Sequence, residues 1–189
     1  MEVDKMQRIF KNCSIVRNRR LFSLLAARVQ DSSCHEDIDE QIIDLYFEEW
    51  AIMFTDLSGF TQISSDHGIL DFLHIIYKSL TIFKEPIEKY NGICIKMDGD
   101  SLIIIFKHLQ KAVECAKEMI LTTHRYNKDK KDDDRIGLAV GIGYGKILKI
   151  GDYDIFGEEV NNTSRLGEDT AKEDEILFTD AAKKILTNI

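Results

Sequence analysis

The chain has 189 residues, 44% hydrophobic and 31% charged, enough for one domain that buries its own core without staples. Its net charge of −8 excludes a general nucleic-acid binder, and no apolar run reaches membrane-spanning length. Cys13, Cys34, Cys94 and Cys115 form no CxxC pair and have no histidine at zinc spacing, so they read as reduced thiols of a cytoplasmic protein.

The charge is uneven. Residues 1–30 carry Lys5, Arg8, Lys11, Arg17, Arg19, Arg20 and Arg28 against Glu2 and Asp4, whereas 31–49 carry eight acids and neither Lys nor Arg. Residues 1–48 are expected to form a helical arm, ahead of a domain over 49–189. The arm could touch the acidic segment, a twin subunit or an anionic membrane surface, and packing is preferred over membrane contact. Apolar spacing predicts a helix over 4–30, which "DSSCHED" (31–37) breaks. Residues 38–50 read as a short helix or an irregular lead-in.

"AIMFTD" (51–56) reads as a buried strand, and "LSGFTQISSDHG" (57–68) as a turn and short helix. A long amphipathic helix follows over 68–90, with a kink or break expected at Pro86 and an end at Asn91-Gly92. "ICIKM" and "LIIIF" flank "DGDS", a hairpin signal. A second amphipathic helix covers 109–127, and the charge run 128–134 is a solvated loop. "IGLAVGIGYGKILKIGD" (136–152) reads as strand, glycine-rich turn, strand. Residues 158–171 are expected to be helical in their first turns. "EILFTD" is a strand and "AAKKIL" opens a last helix. This order predicts an α+β fold on a ferredoxin-like βαββαβ core.

Three stretches carry candidate chemistry. Asp56 closes one buried strand, and Asp100 lies in the hairpin that opens another. Two carboxylates at strand ends suit a pair of divalent cations, which prefer oxygen ligands and share them with substrate phosphates. Taken singly, "DLSGF" reads equally well as a helix cap and "DGD" as a plain turn. As part of a site, Ser58, Gly59, Phe60 and Thr61 would offer backbone N–H groups to a triphosphate. Asn161 and Arg165, spaced i, i+4, share one helix face. An amide beside a guanidinium can grip a ribose and a phosphoryl group, although an exposed polar face is the commoner fate of such a pair.

In order and spacing, "FTDLSGFT", "KMDGDSLIIIF", "GIGYGKIL" and "DIFGEEVNNTSRLGEDTAKEDEILFT" resemble the class III adenylate/guanylate cyclase catalytic domain, from about Ala51 to about Leu186. The resemblance implies that Asp56 and Asp100 bind two Mg²⁺ or Mn²⁺ ions. It implies that Asn161 orients the ribose, that Arg165 stabilises the transition state, and that Lys96 and Asp154 read the base. A lysine donor and a carboxylate acceptor complement adenine, so ATP is the expected substrate, with 3′,5′-cyclic AMP and pyrophosphate as products. The family acts as a head-to-tail dimer. A homodimer would therefore share its sites, with Asp56 and Asp100 from one chain and the other four residues from its twin. The family's triphosphate-binding lysine, carried on a later strand pair, has no match here. Asn162 and Thr163 stand where small apolar residues are usual after the asparagine. Two alternatives are a cyclase for GTP, CTP or UTP, and a cyclase-like nucleotide-binding regulatory domain.

Overall fold

The computed structural model describes Met6 and residues 9–30, 35–57, 68–130 and 135–187. Strand β1 (Phe47–Asp56) alternates its side chains between two apolar layers: Ala51 and Met53 face one way, Trp50, Ile52 and Phe54 the other. Strand β3 (Ser101–Phe106) does the same and is buried along its whole length, which is why its sequence is an unbroken apolar run. Helices α4 (Ile69–Lys89) and α5 (Leu109–Asn127) cover the first face. Strand β5 (Asp154–Phe156) and helix α6 (Glu158–Ser164) contribute Ile155 and Val160 to the second.

The sheet order is β2–β3–β1–β4–β5, with β2 at Ile93–Asp98 and β4 at Ala139–Ile150. Every pair along this path is antiparallel. β1–α4–β2–β3–α5–β4 is the expected βαββαβ core. β6 (Ile176–Phe178) adds to β4 in parallel over Val140–Ile142, and α7 (Asp180–Leu186) follows it. A bulge interrupts the β2–β3 ladder between Cys94 and Lys96.

Four elements depart from the sequence expectations. The 4–30 helix is split, within the described residues, into α1 (Ser14–Arg17) and α2 (Arg19–Gln30). Asn18 causes the split: its side-chain oxygen accepts from Leu21 N and from the Tyr46 hydroxyl, capping α2. Residues 35–46 form a full helix, α3 (His35–Tyr46), leading directly into β1. α4 runs through Pro86, which lies in its last turn and removes only one ladder donor. The helix stops a turn later in a Schellman motif, where Asn91 takes φ 57°, its N–H bonds to Glu88 O, and Gly92 N bonds to Ile87 O.

The fourth departure matters most. Residues 139–150 are one continuous strand, not two strands about a turn. Gly141, Gly143 and Gly145 recur at period two, so all three clear the same face of β4. A Cβ at Gly143 would lie 2.0 Å from Thr163 Oγ1, and one at Gly141 would lie 2.6 Å from Thr163 O. The glycines thus form a shallow track along which α6 and the π-helical turn after it (Arg165–Thr170) lie against the sheet.

The arm packs on the far end of β4. Leu21, Ile38, Ile42 and Tyr46 bury against Ile150. Arg28 makes two hydrogen bonds to Asp39, 2.5 and 2.9 Å, so the basic arm does meet the acidic segment. Gly143→Ala is expected to cost about 1–3 kcal/mol in urea unfolding, the range for an overfilled core. Adding Thr163→Ala should recover part of that loss, since it removes the clashing hydroxyl. Wild-type stability in Gly143→Ala would contradict the close approach.

Candidate active site

The β1–β3 register pairs Thr55 with Leu102, so Asp56 comes level with Ser101 and its neighbour Asp100. A two-residue turn, with Gly99 at φ 60°, carries Asp100 to the same sheet end as Asp56. Gly167 brings the π-helical turn over this end. A Cβ there would lie 2.8 Å from Phe54 O and 3.1 Å from Gly141 N.

This approach adds two acids that the sequence reading missed, Glu168 and Asp169. Burial first, then Asp100, Glu168 and Asp169, push the Asp56 carboxyl up to about 6. Burial, and then Glu168, also raise Asp100. No Lys, Arg or His among the described residues forms an ion pair with either aspartate. The only sequence signal for the added acids was "GEDT" directly after the Asn161/Arg165 helix.

Lys96 and Asp154 lie on opposite edge strands of the sheet, β2 and β5, which nonetheless contact each other. Lys96 Nζ donates to Asp154 Oδ1 at 2.9 Å. Asp154 Oδ1 also accepts from Ile155 N at 3.0 Å.

Asn161 on α6 and Arg165 at the start of the π-helical turn are both exposed, whereas Val160 and Thr163 of α6 are buried. Thr163 is fully buried over the glycine track, its hydroxyl donating to Glu159 O at 2.6 Å. Arg165 borders an open cavity of about 450 Å³ with Asn162 and Lys183. It forms no ion pair with Asp56 or Asp100 in the same chain. Ser58, Gly59, Phe60 and Thr61 lie outside the described residues. Among the described residues no helix is long and apolar enough to cross a membrane.

Comparison with known proteins places this architecture. The receptor-type guanylate cyclase gcy-23 of Caenorhabditis elegans is 24% identical over 151 residues, covering 72% of this chain and 14% of its own length. Putative adenylate cyclase 3 of Rhizobium meliloti (strain 1021) is 30% identical over 125 residues, covering 61% of this chain and 20% of its own. The chain therefore spans only a small part of either relative. In fold it resembles the monomeric guanylyl cyclase domain of the RhoGC fusion protein from the aquatic fungus Blastocladiella emersonii. That likeness has a TM-score of 0.66 at 20% identity, over 75% of this chain and 86% of the other. The sequence profile of the adenylate and guanylate cyclase catalytic domain matches residues 45–189. With its ferredoxin-like core and this match over most of its length, the chain belongs to the class III adenylate/guanylate cyclase catalytic domain family.

Proposed function

We propose that the chain converts ATP to 3′,5′-cyclic AMP and pyrophosphate in sites shared between the two subunits of a homodimer. The observation that carries the adenine reading is the Lys96–Asp154 pair, held at 2.9 Å although 58 residues apart in sequence. Lys96 would donate to adenine N1, and Asp154 would accept from the exocyclic amine. Guanine offers the reverse pattern on that edge, a donor and a carbonyl.

Metal chemistry fits the aspartate end. Among the described residues no group of three or more His, Cys, Asp or Glu forms a ready-made cage. Two carboxylates completed by substrate phosphates match the oxygen-rich, partly open coordination of Mg²⁺ or Mn²⁺. The raised Asp56 carboxyl is a half-buried acid among the acids Asp100, Glu168 and Asp169. Two divalent ions held there would activate the ribose 3′-oxygen and neutralise the triphosphate. Asp56 and Asp100 hold that charge at the strand ends. Asn161 orients the ribose so that its 3′-oxygen lines up on the α-phosphorus. The new bond joins O3′ to that phosphorus, the 3′-hydroxyl proton leaves to solvent, and the bond to the bridging oxygen of the leaving pyrophosphate breaks. Arg165 meets the negative charge that grows on the phosphoryl oxygens. Among the described residues no acid forms an ion pair with it, which suits a residue that serves the twin's aspartates.

The direct test supplies Mn²⁺ with ATP, GTP, CTP or UTP and reads the product by mass spectrometry. Cyclic AMP should dominate. Lys96→Glu with Asp154→Cys should lower ATP efficiency by about tenfold or more, the consequence of leaving the bound base without its hydrogen-bond partners. Preference for GTP, CTP or UTP in the wild type would sink the adenine assignment and leave the cyclase reading standing. A second test mixes two variants expected to be inactive, Asp56→Asn and Arg165→Ala. The heterodimer keeps one intact site, so activity should return in part. A silent mixture shown to contain heterodimer would rule out shared sites.

The third test follows from linkage. The folded value of Asp56, about 6, lies above the ordinary 3.8, so folding favours its protonated form. The resulting stability is present below about pH 4 and is lost as pH rises through about 6. Without metal, Asp56→Asn should match the wild type near pH 4 and melt at a higher temperature at pH 7. Mg²⁺ or Mn²⁺ should raise the wild-type melting temperature at pH 7 and leave the variant unmoved. A constant offset between the two proteins across this range would refute the assignment.

A further inference from the structure

One contact of Asp154 lies outside the base-reading pair. Ser14, in the arm helix α1, donates its hydroxyl to Asp154 Oδ2 at 2.5 Å, across 140 residues of sequence. The other oxygen, Oδ1, is already engaged by Lys96 Nζ and by Ile155 N. A carboxylate has about four acceptor positions, so three are taken and one remains for a ligand. The plane of an Asp carboxylate turns on a soft torsion. Lys96 is a flexible partner, its side chain 43% exposed, and cannot fix that plane alone. The Ser14 hydroxyl pins the second oxygen and thereby decides which way the free acceptor faces.

Ser14 is itself held in place. It and Val16 are buried, and Ile15 of α1 packs on the same apolar cluster as Tyr153, the neighbour of Asp154. The Arg17 guanidinium lies 5.0 Å from the centre of the Tyr153 ring. Asn18, bonded by Tyr46 and Leu21, ties the end of α1 to α2 and α3. The arm thus reaches the base-reading carboxylate through a defined chain of contacts.

We propose that Ser14 is a positioning residue for nucleobase selection, orienting Asp154 so that its one free acceptor meets the base. This rests on the reading of Asp154 as a base contact. It makes the arm part of the specificity pocket.

The test compares Ser14→Ala and Ser14→Thr with wild type, using full-length protein, Mn²⁺, and ATP and GTP. Ser14→Ala should lower the ratio of the two kcat/KM values by about tenfold, mainly through a higher KM for the preferred nucleotide, with kcat within about twofold. Ser14→Thr, which keeps the hydroxyl, should retain the ratio. In an Asp154→Ala background, Ser14→Ala should change the ratio no further. If Ser14→Ala does not fold, Ser14→Cys, of similar size and a poor donor, takes its place. An unchanged ratio overturns the proposal. So does an equal loss for both nucleotides that Ser14→Thr fails to rescue, or an additive loss in the Asp154→Ala background. Should the wild type form no cyclic product from any nucleotide, the proposed function fails. The same ratio is then read from displacement of fluorescent mant-ATP by ATP and by GTP. Failure of Ser14→Ala to reduce that ratio, or no discrimination by the wild type, overturns the inference.

Discussion

The close approach of α6 to β4 is the constraint on which the rest of the site depends. Three glycines at alternate positions strip one face of the strand to bare backbone. Thr163 and Glu159 of the helix fill that space, and the Gly167 backbone continues the contact over Phe54 and Gly141. The helix has no freedom to rise, because a Cβ at any of the three glycines would fall inside atoms already there or press hard on them. With α6 seated, Asn161 and Arg165 are left exposed, and the π-helical turn brings Glu168 and Asp169 near Asp56. The sheet partners across the track are large: Trp50, Ile52 and Phe54 stand opposite Gly145, Gly143 and Gly141. Bulk on β1 and bareness on β4 together set how far the helix can sink.

Electrostatics divides the molecule into two regions of opposite need. At the end of β1 and β3, carboxylates crowd together with no Lys, Arg or His among the described residues paired to Asp56 or Asp100, and burial sharpens their repulsion. At the rim formed by β2 and β5, the carboxylate of Asp154 accepts from three donors, one of them a lysine, and is 13% exposed. The first arrangement is unstable in isolation and gains from an incoming positive charge. The second already holds three donors and leaves one acceptor position, whose direction those donors fix. The two needs are therefore separated in space, on strands that a twisted sheet curls toward each other.

How much was legible in the sequence follows from where each signal lies. The βαββαβ core was readable because its signals are local: the unbroken run of β3, the hairpin turn, and two amphipathic helices. The division of the arm at Asn18 was not readable, because it depends on a hydroxyl from Tyr46, 28 residues away. Glycine density in 141–145 suggested a turn, since glycine is the commonest turn residue. Its spacing of two was the better guide, and the reason for it lies in a helix some 20 residues later in the chain. Lys96 and Asp154 were paired by family resemblance alone, and no spacing rule joins two edge strands. Ser14 carried no signal at all, since a single serine in a basic helix is unremarkable until the fold brings Asp154 beside it. Glu168 and Asp169 were visible as letters but not as neighbours of Asp56.

The sheet's margins carry one more consequence. β4 is flanked on its outer side by two short strands, β6 over Val140–Ile142 and β5 over Leu148–Ile150. Between them, the Tyr144 N–H is taken by the Glu159 carboxylate at 3.2 Å. On the opposite margin, the bulge at Cys94/Lys96 bends β2 and breaks its regular row of donors and acceptors. The exposed borders are thus two three-residue strands and one irregular strand, forms that blunt strand-by-strand stacking of neighbouring molecules. The proposed homodimer would gain from this protection. Two copies could then associate through side chains without fusing their sheets, which would keep the contact reversible.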